Sequence, residues 1–123
     1  NVTRYLPMAS ESDLRIIYVP CGSEDAVATL ARRLLERRLI ACANIYPSRS
    51  IYRWKGEVVD ELEYVIFAKT TAALATEAAA AGEELHAYEI PCVLVLEPAA
   101  ANAPYATWVA GEVGEPAARG SYG

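Results

Sequence analysis

The predicted fold depends above all on the segment Ile51-Tyr52-Arg53-Trp54-Lys55-Gly56-Glu57-Val58-Val59. It joins two long runs. Ile40 to Trp54 is rich in isoleucine, tyrosine and alanine, and Glu57 to Lys69 in valine, isoleucine and tyrosine. Valine, isoleucine and tyrosine favour strands. Lys55-Gly56 between them predicts a tight turn, because glycine adopts the positive φ that short hairpin turns require. The sequence therefore predicts a long β-hairpin, with a bend or bulge at Pro47, since proline cannot donate within a central ladder.

A strand and a helix are predicted on each side of this hairpin. Leu14 to Val19 is an apolar run typical of a buried strand, and an amphipathic helix follows it after the Ser23 cap. An alanine-rich helix follows the hairpin, and Cys92 to Leu96 is predicted as the fourth strand. Asn102 and Pro104 begin a last helix. The order β-α-β-β-α-β predicts a ferredoxin-like α/β fold, with a C-terminal helix and a protruding hairpin.

Length and composition indicate a single domain. The chain has 123 residues, of which 54% are apolar, enough to bury a core. We expect one folded domain over 14–113, between a flexible N-terminal tail, 1–13, and a flexible C-terminal tail, 114–123. The net charge of −5 argues against a nucleic-acid partner, because the phosphate backbone binds basic faces.

The sequence also argues against a membrane location. No apolar run approaches the length of a membrane span, and residues 1–12 lack the apolar segment of a signal peptide. The three cysteines, Cys21, Cys42 and Cys92, are an odd number for a disulfide framework and lie far apart. We therefore expect reduced thiols in a cytoplasmic protein, although each cysteine is equally compatible with being a buried small hydrophobe.

The side chains that most clearly suggest metal binding lie in the segment His86-Ala87-Tyr88-Glu89-Ile90-Pro91-Cys92. It holds the only histidine, with a carboxylate and a thiol within six residues. Imidazole and thiolate are ligands that suit copper and zinc. A second thiol, Cys21, ends the first strand, but the first and fourth strands need not be neighbours, so these groups are expected to meet within a trimer or not at all. Without a metal, His86 would be a hydrogen-bonded group at a helix end.

Four ordered segments of the chain resemble the CutA family of divalent-cation tolerance proteins. The resemblance covers Leu14 to Val113, and Tyr105 and Trp108 match aromatic residues of that family's last helix, where we expect Trp108 to pack in the core. The segments are Val19-Pro20-Cys21 before an acidic helix start, Ala41 to Ile45 (similar to Ala-Cys-x-Asn), Tyr52 to Glu57 (Tyr-x-Trp-x-Gly) and His86 to Pro91 (His-Pro-Tyr-Glu-x-Pro).

The resemblance implies a homotrimer that responds to metal ions and binds copper or another divalent cation. It implies copper near Cys21 and His86 with a carboxylate helping, and the candidate metal ligands are Cys21, His86, Cys92 and Glu89. The sequence departs from the family pattern at Ala87, where proline is usual, and at Cys92, where many relatives carry glutamate. Sulfur in place of oxygen at Cys92 would favour Cu(I).

The hairpin independently favours a homotrimer. Its outer part, Ile51 to Val59, is longer than one small sheet needs, and exposed strand edges are normally covered by a partner. Ferredoxin-like trimers place clefts between subunits, so the alternative function is a regulatory trimer with a small-molecule ligand in such a cleft. The candidate cleft and interface residues are polar or aromatic: Tyr52, Trp54, Lys69 and Tyr88.

Catalysis is a third hypothesis. Cys21 lies just ahead of a predicted helix N-terminus, which would lower the pKa of its thiol and favour a nucleophile, with His86 as base. The sequence shows no oxyanion-hole motif, no cysteine-protease signature and no glycine-rich phosphate loop. We therefore predict a binding protein that is not an enzyme.

Overall fold

The computed structural model describes residues 5–7 and 13–115. In this part of the chain a four-stranded antiparallel sheet of order β3-β4-β2-β5 and a two-stranded ribbon, β1-β6, accompany three helices. This arrangement confirms the predicted ferredoxin-like fold. The elements are β1 Tyr5–Pro7, β2 Leu14–Cys21, α1 Glu24–Glu36, β3 Cys42–Trp54, β4 Glu57–Thr71, α2 Ala75–Glu84, β5 Leu94–Leu96, β6 Ala100–Asn102 and α3 Ala103–Glu112.

The first helix begins at the predicted cap. The Ser23 hydroxyl accepts a hydrogen bond from the Ala26 backbone N–H at 3.0 Å, and Glu24 and Asp25 lie in the first turn, where acidic groups suit the helix dipole. The apolar side of α1 packs with α2 against one face of the sheet. The largest fully buried side chains of the described residues include Ile17, Leu34, Ile40, Ile66 and Leu74, and the main core lies between this face and the two helices.

The hairpin is a regular ladder along its whole length. Lys55 and Gly56 have φ values of 50° and 83°, as the predicted two-residue turn requires. The register runs unbroken from Cys42 opposite Lys69 to Trp54 opposite Glu57. The predicted bend or bulge at Pro47 is therefore wrong. Because β3 is an edge strand of the sheet, a proline nitrogen there can point away from the ladder.

The other face of the sheet is largely open. Phe67 packs edge-on against Tyr18 and Tyr46, at centroid distances of 5.3 and 5.8 Å. A small second cluster, formed by Leu14, Ala101 and Val109, holds α3 over one end of this face. At the opposite end the hairpin extends past the rest of the sheet, because the pairing of β2 with β4 stops at Cys21 opposite Tyr64.

The structure differs from the sequence predictions at three further points. Tyr5–Pro7 pair antiparallel with Ala100–Asn102, which adds a strand where a flexible tail was predicted. Of the other predicted tail residues, 1–4, 8–12 and 116–123 lie outside the described residues. The fourth main strand, Leu94–Leu96, is shorter than predicted. Trp108 is 45% exposed and stacks on Tyr105, so its predicted place in the core is wrong.

None of the helices within 5–7 and 13–115 has the length and apolar character needed to cross a membrane.

Candidate functional site

A cleft of about 660 Å³ opens between the outer hairpin and the segment that follows α2. Tyr52 and Trp54 of β3 form one part of its wall, and Tyr88 and Cys92 of the later segment form another. Three of the residues predicted for a cleft, Tyr52, Trp54 and Tyr88, therefore lie together. The full lining comprises Pro20, Gly22, Tyr52, Trp54, Glu61, Glu63, Tyr88, Glu89, Ile90 and Cys92.

Glu61 and Glu63 form an acidic floor in this cleft. They are two residues apart on β4, so their side chains point to the same face of the strand. The Tyr52 hydroxyl donates to Oε1 of Glu61 at 2.5 Å, and the Tyr88 hydroxyl donates to Oε2 of Glu63 at 2.8 Å. Glu63 is only 6% exposed. Among the described residues neither carboxylate forms a salt bridge with a basic side chain.

The two phenols remain protonated donors at neutral pH. The hydrogen bond to Glu61 raises the pKa of Tyr52 to about 12, because deprotonation would place a second negative charge beside that carboxylate. Burial and then the hydrogen bond to Glu63 raise the pKa of Tyr88. Gly22 makes room for the Tyr88 ring, since a Cβ at this position would lie 3.0 Å from the Tyr88 hydroxyl oxygen. The position of Tyr88 thus depends on Gly22 and Glu63, and that of Tyr52 on Glu61.

His86 is fixed by two hydrogen bonds to the backbone. Its Nδ1 accepts from the Tyr88 N–H at 3.1 Å, so the ring proton lies on Nε2, which donates to the Pro20 carbonyl at 2.6 Å. The imidazole therefore ties the segment after α2 to the end of β2. A metal ion could reach a lone pair of this ring only after one of these bonds broke.

Cys21 is a buried thiol. It is 3% exposed, and burial followed by the charge of Glu63 raises the pKa of its thiol to about 11. The predicted lowering of this pKa is therefore wrong, because lost hydration and a nearby carboxylate outweigh the helix N-terminus. At neutral pH Cys21 is neither an activated nucleophile nor a ready thiolate ligand.

Cys92 and Glu89 lie in a more accessible place. Both are exposed and both line the cleft, although burial and then the charge of Glu63 raise the pKa of the Cys92 thiol. Glu89 accepts from the Lys55 ammonium at the hairpin tip, with 3.4 Å between Oε1 and Nζ. A thiol and a carboxylate thus share the wall above the acidic floor.

The structure divides the predicted metal ligands between two cavities. Cys92 and Glu89 line the cleft, whereas Cys21 and His86 line a second cavity of about 570 Å³ beside the start of α1. The first and fourth main strands, β2 and β5, are neighbours, and the two cavities share Gly22 and Tyr88 in their linings. Nevertheless, over 5–7 and 13–115 no three His, Cys, Asp or Glu side chains form a group that could hold a metal ion.

Lys69, the fourth predicted cleft residue, lies elsewhere in the chain. It is opposite Cys42 at the other end of the β3–β4 ladder, and its ammonium donates to Oδ1 of Asn44. Within one chain it does not line the cleft with Tyr52 and Trp54.

The sequence predictions missed Glu61, Glu63 and Gly22. The pattern Glu61-Leu62-Glu63 within a predicted strand already placed two carboxylates on one face, and this alternation was the available signal. No local pattern showed that Gly22 would lie beneath a tyrosine more than sixty residues later in the chain.

Comparison with known proteins shows which protein family this sequence matches. The sequence model of the CutA1 divalent ion tolerance protein family matches residues 15–112. The divalent-cation tolerance protein CutA of Thermus thermophilus is 37% identical over 95 residues, which are 76% of this chain and 92% of that protein.

Solved structures of CutA proteins have the same fold. CutA from Synechococcus elongatus superposes with a TM-score of 0.82 at 28% identity, covering 92% of this chain and 98% of the other. CutA from Archaeoglobus fulgidus, described as a periplasmic divalent cation tolerance protein, superposes with a TM-score of 0.78 at 27% identity, covering 82% and 99%. Both matches extend across nearly the whole of the compared structures.

Proposed function

The chain belongs to the CutA1 divalent ion tolerance protein family, and on that basis we propose that it binds a divalent cation, copper in particular, as a homotrimer. The observation that carries the proposal is the joint presence of Cys92 and Glu89 in a cleft whose lining includes no lysine or arginine. A thiol suits copper, and the carboxylates favour a positive ion over an anion. In this role the protein takes part in the response to metal ions and catalyses no reaction.

The copper site proposed here is completed by a second subunit. The described residues of one chain offer no group of three ligands, so Cys92 and Glu89 need donors from elsewhere. A neighbouring subunit that approaches the outer hairpin would bring its own side chains to this wall. Cys21 and His86 are not ligands of the proposed site, because Cys21 is a buried thiol with a raised pKa and both ring nitrogens of His86 are hydrogen-bonded.

Exposed apolar groups on the hairpin support the trimer. Ile51, Val58 and Leu62 share one face of the outer ladder and are 61%, 65% and 57% exposed. Residues 57–63 of β4 pair with β3 alone, so in the described part of the chain both edges of the outer hairpin lack a partner strand. Such edges and apolar surfaces are normally covered by another chain.

Copper titration tests the proposal. Cys92→Ser and Glu89→Gln are each expected to weaken copper binding, the cysteine variant by about tenfold or more, because it removes the soft ligand. Cys42→Ser serves as the matched control, since Cys42 lies by Tyr105 outside the cleft. Equal copper affinity in wild type and Cys92→Ser would refute the site, and calorimetry with Cu(II) beside chelator competition with Cu(I) would measure it.

A small-molecule ligand in the same cleft is the second candidate function. Its support is the cleft itself, because a volume of about 660 Å³ with aromatic and apolar walls suits an organic ligand. This function describes a regulatory trimer whose state depends on occupancy of the cleft. Saturable binding of a metabolite that is unaffected by Cys92→Ser would favour it over the copper function.

We also propose a cytoplasmic location. It is supported by three free thiols, Cys21, Cys42 and Cys92, which suit a reducing compartment. Detection of the protein in a cell fraction that holds periplasmic or secreted proteins would contradict it.

A further inference from the structure

The cleft contains more negative than positive charge. Its lining includes the three carboxylates of Glu61, Glu63 and Glu89 and no basic side chain. Glu89 is paired with Lys55, whereas Glu61 and Glu63 accept from neutral phenol hydroxyls and have no basic partner among the described residues. A charge as buried as that of Glu63 is costly unless an opposite charge approaches it. The floor is therefore suited to a cationic guest.

The walls above this floor are aromatic and apolar. Tyr52, Trp54 and Tyr88 contribute their rings, and Pro20 and Ile90 add aliphatic surface. The face of an aromatic ring attracts a cation, and it also packs against alkyl groups. This combination suits an organic cation with carbon substituents better than a fully hydrated metal ion.

The chain already binds one of its own ammonium groups in this way. Lys55 Nζ lies 5.4 Å from the centre of the Trp54 ring and 3.4 Å from Oε1 of Glu89. A distance below about 6 Å from a ring centroid is typical of a cation–π contact. At the rim, an aromatic face and a carboxylate thus contact the same ammonium group. The floor of the cleft also combines aromatic rings with carboxylates.

The size of the cleft separates this guest from a metal ion. A volume of about 660 Å³ falls in the range of small organic ligands and far exceeds that of one ion. In the described residues the carboxylates of the floor belong to no metal-holding group. The acidic floor and the Cys92 wall can therefore serve different ligands.

We propose that the acidic floor of the cleft binds an organic ammonium ion, held by Glu61 and Glu63 and enclosed by the rings of Tyr52, Trp54 and Tyr88. The proposal rests on the second candidate function, a small-molecule ligand in the cleft, and gives that ligand a chemical class. The ligand carries a primary, secondary or quaternary ammonium group with short alkyl substituents, and it does not require Cys92.

The test compares choline with its neutral carbon analogue, 3,3-dimethylbutan-1-ol, on the assembled wild-type protein. The two probes have nearly the same shape and differ in the positive charge, so their affinity ratio isolates the charge. Calorimetry or Trp fluorescence titration should show saturable choline binding, with the neutral analogue weaker by about tenfold or more. Glu63→Gln should weaken choline binding by about tenfold, because it removes the buried charge but keeps an acceptor for Tyr88.

Matched control variants distinguish changes within the cleft from the general effect of the same substitution elsewhere in the protein. Glu36→Gln makes the same change of net charge at an exposed position of α1 and should leave choline binding unchanged. Trp54→Leu should weaken choline binding severalfold, whereas Trp108→Leu, outside the cleft, should not. Glu61→Gln provides the same test at a less buried carboxylate if Glu63→Gln fails to fold. Light scattering of each variant checks that its oligomeric state equals that of wild type.

The possible outcomes distinguish ammonium recognition from the broader proposal that the cleft binds a small molecule. Equal binding of choline and the neutral analogue, or unchanged choline binding in folded Glu63→Gln and Glu61→Gln, would overturn ammonium recognition and leave the cleft as a small-molecule site. Failure of choline together with binding of an anionic or neutral metabolite would do the same. Failure of choline and of every member of a metabolite panel would overturn both. Choline binding that survives Cys92→Ser while copper binding is lost would support both ligand assignments.

Discussion

At the scale of the residue, burial and local hydrogen bonds decide the chemistry of the His86–Cys92 segment and its neighbours. His86 uses both ring nitrogens to join two pieces of backbone. Cys21 is a thiol whose pKa is raised by burial and by Glu63, whereas Cys92 lies exposed beside the carboxylates of the cleft. Residue types that look alike as metal ligands in the sequence therefore have different roles in the folded chain.

The first prediction concerns His86. His86→Ala removes the hydrogen bonds to the Pro20 carbonyl and the Tyr88 N–H, so the free energy of unfolding should fall by about 2 kcal/mol. Urea denaturation measures this change. The surface variant Arg32→Ala, on the exposed side of α1, is the control and should change stability little. Unchanged stability of His86→Ala with a large loss of copper affinity would show instead that the imidazole is a ligand.

The second prediction concerns the reactivity of the thiols. Iodoacetamide should label Cys92 in the folded protein and label Cys21 only after unfolding, because Cys21 is buried. Since the pKa of Cys21 is raised to about 11, its thiolate fraction at neutral pH is on the order of one in ten thousand. This fraction should increase as the pH approaches the pKa. Mass spectrometry of digested protein measures the labelling. Faster labelling of Cys21 than of Cys92 would contradict both the burial and the raised pKa.

At the scale of the element, the hairpin and the segment after α2 build the cleft together. β3 and β4 place Tyr52, Trp54 and the two floor carboxylates on one face of a regular ladder. Tyr88 reaches this floor from the other side, over Gly22 at the exit of β2. The cleft therefore depends on a contact between three elements that are far apart in sequence.

The third prediction concerns that contact. Gly22→Ala would place a Cβ 3.0 Å from the Tyr88 hydroxyl oxygen and displace the ring from Glu63. The lost hydrogen bond and the strain should lower the free energy of unfolding by about 1–2 kcal/mol. Gly111→Ala is the control: its Cβ would meet nothing within 4 Å, and alanine favours the helix. Thermal unfolding measures both variants, and a melting temperature equal to wild type for Gly22→Ala would contradict the packing argument.

The individual strands, helices and turns were more predictable from the sequence than the tertiary contacts between them. The Lys55-Gly56 turn and the Ser23 cap follow from local rules of backbone conformation and hydrogen bonding, and the structure confirms both. The regular path through Pro47 was not predictable, because it depends on β3 being an edge strand. The burial of Cys21 and the approach of Glu63 depend on tertiary packing, so the sign of the pKa shift at Cys21 could not be read from its place before a helix.

At the scale of the whole molecule, the outer hairpin is the surface that a single chain leaves uncovered. Its apolar side chains are exposed on a ladder that no helix covers in the described part of the chain. The same hairpin supplies the walls of the cleft. The exposed apolar side chains and the cleft lie on opposite faces of this ladder, because side chains alternate between the two faces along each strand.

The fourth prediction concerns assembly. Ile51→Lys should weaken the trimer, because it places a charge on an apolar surface that we propose to be covered. Leu35→Lys, a comparable change at a 40% exposed position of α1, should leave the trimer intact. Light scattering over a dilution series measures the mass of each protein. A trimer of Ile51→Lys as resistant to dilution as wild type would place the interface elsewhere.

Native mass spectrometry with copper measures at once whether the protein is a trimer and whether its clefts bind a cation through Cys92. We expect three times the 13.3 kDa chain mass, with copper bound up to one ion per subunit, and a Cys92→Ser trimer of unchanged assembly that takes up much less copper. A single-chain mass for the wild-type protein, or equal copper uptake by wild type and Cys92→Ser, would contradict it.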